Sequence, residues 1–311
     1  MNAYKACCLV VQTALLVGLL PYKMVTSFFF PQTPKKFSSV LITGASTGIG
    51  AEMARQYASE GVHLTLVDRR ADKLSEVKLQ CEALGAVVRT ILLDVTDKGR
   101  MREAVCEADD EYPLDLVIAN AGVAGTTLFQ KNDNILSDVS SMVTSVNVLG
   151  VCNTLSPALE RMRTRQYGQL VITASYLGFL GWSGDPLTFS YVSSKIWACT
   201  YGAALRSVLQ RENIGVSVLC PGAIKTEMLA DMKSVGHDFG KGHAADCGAA
   251  VKQMLRGIAD NVGMICVKVS LLQRLLTYTF GYNLIPPFLW NEIAPLSDKS
   301  NFNKSCLIKN D

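Results

Sequence analysis

Charged residues are scarce in this chain, and several patterns that mark common functions are missing. Only 18% of its 311 residues are Asp, Glu, Lys or Arg, below the share of about a quarter that is usual in soluble domains. The formal net charge is +3 and no block of about five or six like charges occurs, which argues against nucleic acid as a partner. The ten cysteines and three histidines show no metal-binding spacing. We therefore predict no metal site and reduced, structural cysteines.

The N-terminus is the first of two segments in which charge is rare. The only charged side chains among the first 30 residues are those of Lys5 and Lys23, and residues 6–20 are uncharged. That run lies between the roughly 20 residues of a membrane span and the about 10–14 of a signal core. Pro-Tyr-Lys follows it instead of a small-x-small cleavage site. We predict an uncleaved membrane anchor over residues 1–36, with a helix packed on the core as the alternative.

The second apolar segment lies near the C-terminus. Residues 270–290 carry one charge, at Arg274. Gly281 and the pair Pro286-Pro287 disfavour a straight transmembrane helix, so a segment resting on the membrane surface fits better. The alternative is a helix packed on the domain or on a second copy. We predict that residues 270–311 form a membrane-associated segment with a polar tail, and that membrane lipid is a partner.

Between these ends, short apolar runs alternate with helix-like stretches. Residues 40–42, 62–67, 87–93, 114–118, 169–173 and 216–219 read as strands. Strands that alternate with helices predict a parallel sheet covered on both faces. With right-handed crossovers this becomes a doubly wound, Rossmann-type α/β fold. We predict one such domain over residues 37–269, flanked by the apolar extensions.

A glycine-rich turn follows the first predicted strand and opens the first helix. Glycines allow a tight turn and close approach to a pyrophosphate, and a helix N-terminus supplies free N–H groups. A plain strand–helix turn is the alternative, because a lone glycine turn is a weak signal. The residues predicted to bind the cofactor here are Gly44, Ser46, Thr47, Gly48, Ile49 and Gly50.

The residues after the second strand bear on the choice between NAD and NADP. Asp68 ends that strand, where a carboxylate can accept hydrogen bonds from ribose hydroxyls and would repel a 2′-phosphate. Arg69 and Arg70 follow and could instead hold such a phosphate, or could be solvated loop residues. Thr47 stands in the turn where a basic residue would favour phosphate. We favour NAD, with NADP as the alternative.

Further cofactor contacts are predicted at the ends of the third and fourth strands, since open α/β sheets bind ligands at the carboxyl ends of their strands. Asp94 could receive the adenine amino group, and the small residues after the fourth strand would let the cofactor lie flat. These contacts are Asp94, Val95, Asn120, Ala121 and Gly122.

Tyr191 and Lys195 form the most informative pair. They are four residues apart and therefore share one face of a helix. A free tyrosine has a pKa near 10, and a nearby ammonium group favours the phenolate and lowers that pKa. Such a tyrosine can exchange a proton with an alcohol or carbonyl oxygen.

The glycine turn, the Asn120-Ala121-Gly122 segment, the Tyr191-x-x-x-Lys195 pair and Pro221-Gly222 together resemble the short-chain dehydrogenase/reductase family over roughly residues 38–265. The resemblance implies that Lys195 also binds the nicotinamide ribose. It further implies substrate binding by Ser175, a proton-relay water held by Asn147, and cofactor contacts from Pro221, Gly222 and Thr226. Thr173 and Ser183 are alternatives to Ser175, and Thr226 could instead cap a helix.

The resemblance also implies a function: hydride transfer between NAD(P) and the hydroxyl or carbonyl carbon (CH–OH groups) of a substrate. A hydrophobic, steroid-, retinoid- or lipid-like substrate is expected, because residues 177–189 are aromatic and apolar and no converging Arg or Lys is evident. Leu177, Phe179, Leu180, Trp182 and Phe189 are the predicted lining, and residues 229–247 the predicted lid. Similarity to membrane-associated hydroxysteroid and retinol dehydrogenases suggests an endoplasmic reticulum homodimer. The alternative is a non-catalytic, dinucleotide-sensing or scaffold protein on the same fold.

Overall fold

The structure is a computed structural model that describes residues 34–125, 136–179, 188–234 and 244–267. Nearly all of the predicted N-terminal anchor and the whole predicted C-terminal segment lie outside the described residues, as do Leu180, Trp182 and Ser183. The strands and helices belong to the compact unit that begins at Lys36.

Seven parallel strands form one sheet within the described residues. They are β1 (Ser39–Thr43), β2 (His63–Asp68), β3 (Val87–Leu92), β4 (Leu116–Ala119), β5 (Gly168–Thr173), β6 (Ile214–Pro221) and β7 (Met264–Val267). Their spatial order is β3-β2-β1-β4-β5-β6-β7. The order reverses between β1 and β4, and such a switch point opens a crevice at the carboxyl ends of the strands.

Helices cover both faces of the sheet. They are α1 (Gly48–Tyr57), α2 (Ala71–Glu82), α3 (Lys98–Glu111), α4 (Leu136–Thr144), α5 (Gly150–Arg165), α6 (Phe189–Leu209), α7 (Glu227–Ser234) and α8 (Cys247–Ala259). A π-helical turn, Ser145–Leu149, joins α4 to α5, and a 3₁₀ turn, Tyr176–Phe179, follows β5. The predicted doubly wound parallel sheet is thus confirmed.

The central strands lack an alternating pattern because both of their faces are buried. Every residue of β1, β4, β5 and β6 is buried, as expected for strands between two helical layers. One apolar core lies on each face of the sheet. Cysteine contributes to both cores through Cys81 and Cys199, and all cysteines of the described residues are free thiols.

Several predicted boundaries were wrong by a few residues, and one strand was missed. The fourth strand begins at Leu116, two residues later than predicted, because the Leu114 N–H is bonded to the Asp109 carboxylate at 2.9 Å. The sixth strand is twice the predicted length, because its ladder is extended on one side by β5 and on the other by the unpredicted β7.

The predicted lid over residues 229–247 is largely helical where the structure describes it. Its first part belongs to α7, and its last residue, Cys247, opens α8. Asp246 caps α8 by accepting a hydrogen bond from the Ala249 N–H at 2.9 Å. Residues 235–243 lie outside the described residues.

One helix of the described residues, Ser137–Arg165, is long and apolar enough to cross a membrane by length and composition alone. Half of its apolar window is buried inside the unit, as a core helix of this fold requires. This helix spans α4 and α5 and is therefore no argument for membrane insertion.

Candidate active site

A cleft of about 350 Å³ opens at the switch point of the sheet. Most of the predicted cofactor-binding residues line it: Gly44, Thr47, Gly48, Ile49, Asp68, Arg69, Asp94, Val95, Asn120, Ala121, Gly122, Tyr191, Lys195, Pro221 and Thr226. They belong to or adjoin eight elements, the strands β1, β2, β3, β4 and β6 and the helices α1, α6 and α7, which only the parallel sheet brings together.

The glycine turn packs directly against the segment after β4. Gly44 has φ +66°, and a Cβ there would lie 2.8 Å from the Ala121 Cα, so both its conformation and the space around it exclude a side chain. A Cβ on Gly50 would collide with the Gly44 carbonyl. The turn thus brings bare backbone to the cleft, as binding of a pyrophosphate requires.

The N-terminus of α1 faces the same cleft without a side-chain cap. Thr47 is its N-cap residue, yet its hydroxyl makes no capping hydrogen bond and instead accepts one from the Arg70 guanidinium at 2.7 Å. Uncapped N–H groups at the positive end of a helix form a site for an anion. This arrangement fits a dinucleotide pyrophosphate.

At the adenosine end, Asp68 is buried and well supplied with donors. Its carboxylate accepts hydrogen bonds from the Ser46 N–H at 3.3 Å, the Arg70 N–H at 3.0 Å and the Arg70 Nε at 3.3 Å. Burial raises the pKa of Asp68, but the bonds from Ser46 and Arg70 and the Arg70 charge outweigh it, and the pKa lies below its usual value. Asp68 is therefore ionised at neutral pH.

Asp94, the predicted adenine contact, sits one strand further out. It accepts hydrogen bonds from the N–H and hydroxyl of Thr96, both at 2.9 Å, and pairs with Arg69 at 3.5 Å. Burial raises the pKa of Asp94, but the Thr96 bonds and the Arg69 charge lower it further than burial raises it. Arg69 and Arg70, the two arginines that leave the cofactor choice open in the sequence, are thus each paired with an acid.

The inner end of the cleft contains the predicted catalytic side chains. Tyr191 is buried, and the Ser175 hydroxyl lies near enough to lower the pKa of its phenol. Lys195 lies with its Nζ 5.5 Å from the Tyr191 ring centroid and donates to the Thr173 carbonyl at 2.8 Å. A Cβ on Gly122 would lie 3.4 Å from this Nζ, so the lysine lies against the segment predicted to support the nicotinamide.

Burial shifts both titrating groups of this pair. It raises the pKa of Tyr191, which the hydrogen bond from Ser175 lowers only in part. It lowers the pKa of Lys195 to about 8, although Cys199 and Cys220 act in the opposite direction. The expectation that Lys195 depresses the pKa of Tyr191 is therefore not met in this structure, because loss of solvent outweighs a lysine whose proton is directed at a carbonyl.

Asn147 lies on the π-helical turn, which sequence patterns did not predict. Its side chain bonds both main-chain groups of Val123, with Oδ1 accepting from the N–H at 2.8 Å and Nδ2 donating to the carbonyl at 3.0 Å. Nδ2 also donates to the Ser194 hydroxyl at 3.0 Å. Single π-turns inside helices often mark functional sites, and this one aims a buried amide at the cleft wall.

Thr226 combines the two roles considered for it. It lines the cleft, and its hydroxyl accepts a hydrogen bond from the Leu229 N–H at 3.4 Å, an N-cap arrangement for α7. Among the alternatives for the substrate-binding hydroxyl, Ser175 reaches Tyr191. Thr173 lines the cleft with a buried Oγ1 that has no hydrogen-bond partner, and such an orphaned atom fits a polar ligand group at this end.

Five predicted site residues do not line this cleft, but each directly adjoins in sequence a residue that does. They are Ser46, Gly50, Asn147, Ser175 and Gly222. Other lining residues were missed: Val67, Leu93, Val123, Ala124, Gly125, Val146, Ala174, Glu227, Met228 and Asp231. Six of these ten directly precede or follow a predicted site residue, so extending each motif by one residue would have found them.

An apolar cluster borders the Tyr191 ring. Ala124 and Met232 are buried against it, and Leu177 and Met228 pack on them half-buried. Of the predicted lining residues, Leu177 belongs to this cluster, but Phe179 does not, because it is buried in the core beneath the sheet. The methionines come from α7, the helix that the alternative role of Thr226 as a cap implies.

A family model for short-chain dehydrogenases matches residues 38–235, the segment that contains the glycine turn, Asn147, Ser175, Tyr191 and Lys195. The chain belongs to the short-chain dehydrogenase family. This short-chain dehydrogenase is 31% identical over 229 residues to rat 17-beta-hydroxysteroid dehydrogenase 13, covering 70% of this chain and 74% of the relative.

Solved structures share the fold. A short-chain dehydrogenase from Sphingobium yanoikuyae in complex with NADPH matches with a TM-score of 0.66 at 21% identity, covering 78% of this chain and 91% of that one. One from Mycobacterium paratuberculosis bound to NAD matches with a TM-score of 0.63 at 24% identity, covering 76% and 97%. The family and the cleft together make this short-chain dehydrogenase an oxidoreductase with a nicotinamide dinucleotide-binding fold.

Proposed function

We propose that the protein transfers a hydride between NAD(P) and the hydroxyl or carbonyl carbon of a hydrophobic substrate, with Asn147, Ser175, Tyr191 and Lys195 as its working residues. The observation that carries this proposal is the meeting of Tyr191 and Lys195, with Ser175 beside Tyr191, at the inner end of a cleft whose outer end presents a glycine turn and an uncapped helix. One cleft thus contains both the residues proposed to bind the dinucleotide and the group proposed to act as acid or base.

Each residue has a task that follows from its position. The dinucleotide supplies or accepts the hydride. Ser175 holds the substrate oxygen beside the Tyr191 hydroxyl, which gives a proton to a carbonyl oxygen or takes one from an alcohol. Lys195, with a pKa of about 8, can exchange a proton near neutral pH and sits where a ribose hydroxyl would meet it. Asn147 anchors Val123 and thereby holds the cleft wall in place.

A hydrophobic substrate is supported by the apolar cluster of Ala124, Leu177, Met228 and Met232 around Tyr191. A pocket with apolar walls and a few converging polar groups suits a steroid-, retinoid- or lipid-like alcohol or ketone. The relative named as a hydroxysteroid dehydrogenase favours the same class.

NAD is the proposed cofactor rather than NADP. Asp68 is ionised and buried where the ribose hydroxyls would lie, and both neighbouring arginines are already paired with acids. A 2′-phosphate would therefore meet a carboxylate before it met a free cation.

We further propose that the apolar segments over residues 1–36 and 270–311 associate the enzyme with a membrane, that of the endoplasmic reticulum, and that the enzyme is a homodimer. The support is the composition of the two segments. Flotation with liposomes tests the membrane proposal, and analytical ultracentrifugation in detergent tests the dimer, which a purely monomeric species would refute.

The Tyr191→Phe variant tests the catalytic assignment. We expect it to abolish turnover of hydroxysteroid and retinol substrates while NADH binding, followed by nicotinamide fluorescence, stays within about twofold. Tyr201→Phe, ten residues further along α6 and stacked on Trp197, is the matched control and should turn over normally. Equal turnover by both variants would refute the acid/base role. A wild type that binds cofactor but turns over no such substrate would favour the non-catalytic alternative.

A further inference from the structure

Arg70 connects three elements at the mouth of the cleft. Its Nε donates to the Asp68 carboxylate at the end of β2, and one terminal nitrogen donates to the Thr47 hydroxyl in the glycine turn. Its other terminal nitrogen pairs with Glu227 at 3.3 Å. Because a guanidinium presents its donors in a fixed planar fork, these three partners define where the positive charge sits.

Glu227 holds the opposite side of this arrangement. It is the first residue of α7, directly after Thr226, and it lines the cleft. Its second carboxylate oxygen pairs with Lys73 of α2. A single acid from the nicotinamide side thus engages both Arg70 and Lys73 at the adenosine side, across a sequence separation of more than 150 residues.

The charges at this end of the cleft cancel. Three acids, Asp68, Asp94 and Glu227, face three bases, which are Arg69, Arg70 and Lys73, and each acid is within 3.5 Å of at least one base. Removing Asp94 or Glu227 leaves a net positive charge beside Asp68, where the ribose hydroxyls would bind.

We propose that Glu227 is a specificity-determining residue that selects the dinucleotide without a 2′-phosphate by keeping Arg70 and Lys73 neutralised. This inference rests on the proposed function, because it presumes that the cleft binds NAD(P). A 2′-phosphate is recognised best by an arginine that can offer it two N–H groups. Glu227, together with Asp68 and Thr47, occupies the N–H groups with which Arg70 would do so.

The ion pair between Arg70 and Glu227 is weak enough for one substitution to free Arg70 for another partner. The side chains of Arg70 and Glu227 are 43% and 51% exposed, and exposed ion pairs of this kind are easily exchanged for other partners. Without the Glu227 charge, Arg70 retains only Asp68 as an acidic partner, and Lys73 has none among the described residues. Both cations then become available to a phosphate.

The test compares dissociation constants for NADH and NADPH, measured by nicotinamide fluorescence on the full-length protein in detergent. In Glu227→Gln we expect the ratio of the NADPH constant to the NADH constant to fall at least threefold. Glu76→Gln is the matched control, since it makes the same substitution on α2, three residues after Lys73, at a residue outside the cleft lining whose carboxylate accepts a hydrogen bond from Gln80 instead of pairing with Arg70 or Lys73. Its ratio should stay within about 1.5-fold of the wild type.

A second background isolates the contact with Arg70. In Arg70→Gln, the further change Glu227→Gln should shift the ratio by clearly less than it does in the wild type. The inference is overturned if Glu227→Gln and Glu76→Gln shift the ratio equally, or if the shift is the same with and without Arg70. A loss of affinity for both cofactors in equal measure would show a merely structural role and would also overturn it. A wild type that binds neither cofactor would instead refute the proposed function.

Discussion

Replacing Asn147 by alanine should destabilise the protein far more than its single polar side chain suggests. The substitution removes three hydrogen bonds and leaves the N–H and carbonyl of Val123 and the Ser194 hydroxyl without this partner. Each lost bond costs about 1 kcal/mol net, and more where a buried group is left unsatisfied. We therefore expect the free energy of unfolding to fall by about 3–5 kcal/mol.

Asn153→Ala supplies the matched control. Asn153 lies on the same continuous helical stretch, one and a half turns later, and donates a single hydrogen bond to the Val95 carbonyl at 2.9 Å. Its loss should cost about 1 kcal/mol. Both variants gain the same small helix propensity from alanine, so the difference between them isolates the two additional bonds of Asn147.

Urea denaturation of the detergent-solubilised protein, followed by tryptophan fluorescence and circular dichroism, measures both variants. With a slope of about 3 kcal/mol per molar urea, the Asn147→Ala midpoint should lie about 1 M below the wild type and clearly below that of Asn153→Ala. Coincident midpoints for the two variants would show that the bonds to Val123 and Ser194 do not stabilise the fold, and the assignment of Asn147 as an anchor of the cleft wall would be wrong.

Three further outcomes are expected from the site. Burial lowers the Lys195 pKa from 10.5 to about 8, so between these pH values the unfolded state binds more protons than the folded state. The unfolding free energy of the wild type relative to Lys195→Met should therefore rise by up to about 3 kcal/mol from pH 8 to 10.5. A difference in unfolding free energy that stays constant over this pH range in urea titrations contradicts this. Gly44→Ala should abolish NADH binding in fluorescence titrations, because its Cβ would meet backbone at 2.8 Å. Gly61→Ala, with φ +79° and no atom within 4 Å of the added Cβ, should retain NADH binding and lose only about 1 kcal/mol of unfolding free energy. Similar NADH affinities of the two variants would refute a role of the glycine turn in cofactor binding. Ser175→Ala removes the hydroxyl that lowers the Tyr191 pKa, so the pH–rate profile for alcohol oxidation should move to higher pH. An unchanged profile would show that Ser175 does not influence the ionisation of Tyr191.

The membership of this chain in a dinucleotide-binding fold could be predicted from the sequence because its signals are local. The glycine turn, the acid ending β2 and the Tyr191-x-x-x-Lys195 spacing each lie within a few residues of a strand or helix end. Backbone geometry then decides where such residues point. The strand-end motifs and the family resemblance together therefore predicted more than half of the residues that line the cleft.

Features that depend on distant partners were not predictable in this way. The strand β7 is a four-residue run that becomes a strand only by pairing with β6. The π-turn at Asn147 is accompanied by side-chain bonds to Val123 and Ser194, 24 and 47 residues away. No local pattern signals either feature.

By itself, the sequence determined which groups the proposed chemistry can use: a glycine turn proposed for a pyrophosphate, an acid proposed for a ribose, and a tyrosine–lysine pair proposed for proton transfer. The tertiary structure decided how these groups are tuned. Burial raises the pKa of Tyr191 and lowers that of Lys195, and Glu227 meets Arg70 across the cleft. Desolvation and ion pairing depend on what surrounds a group in space, and chain order does not encode those surroundings locally.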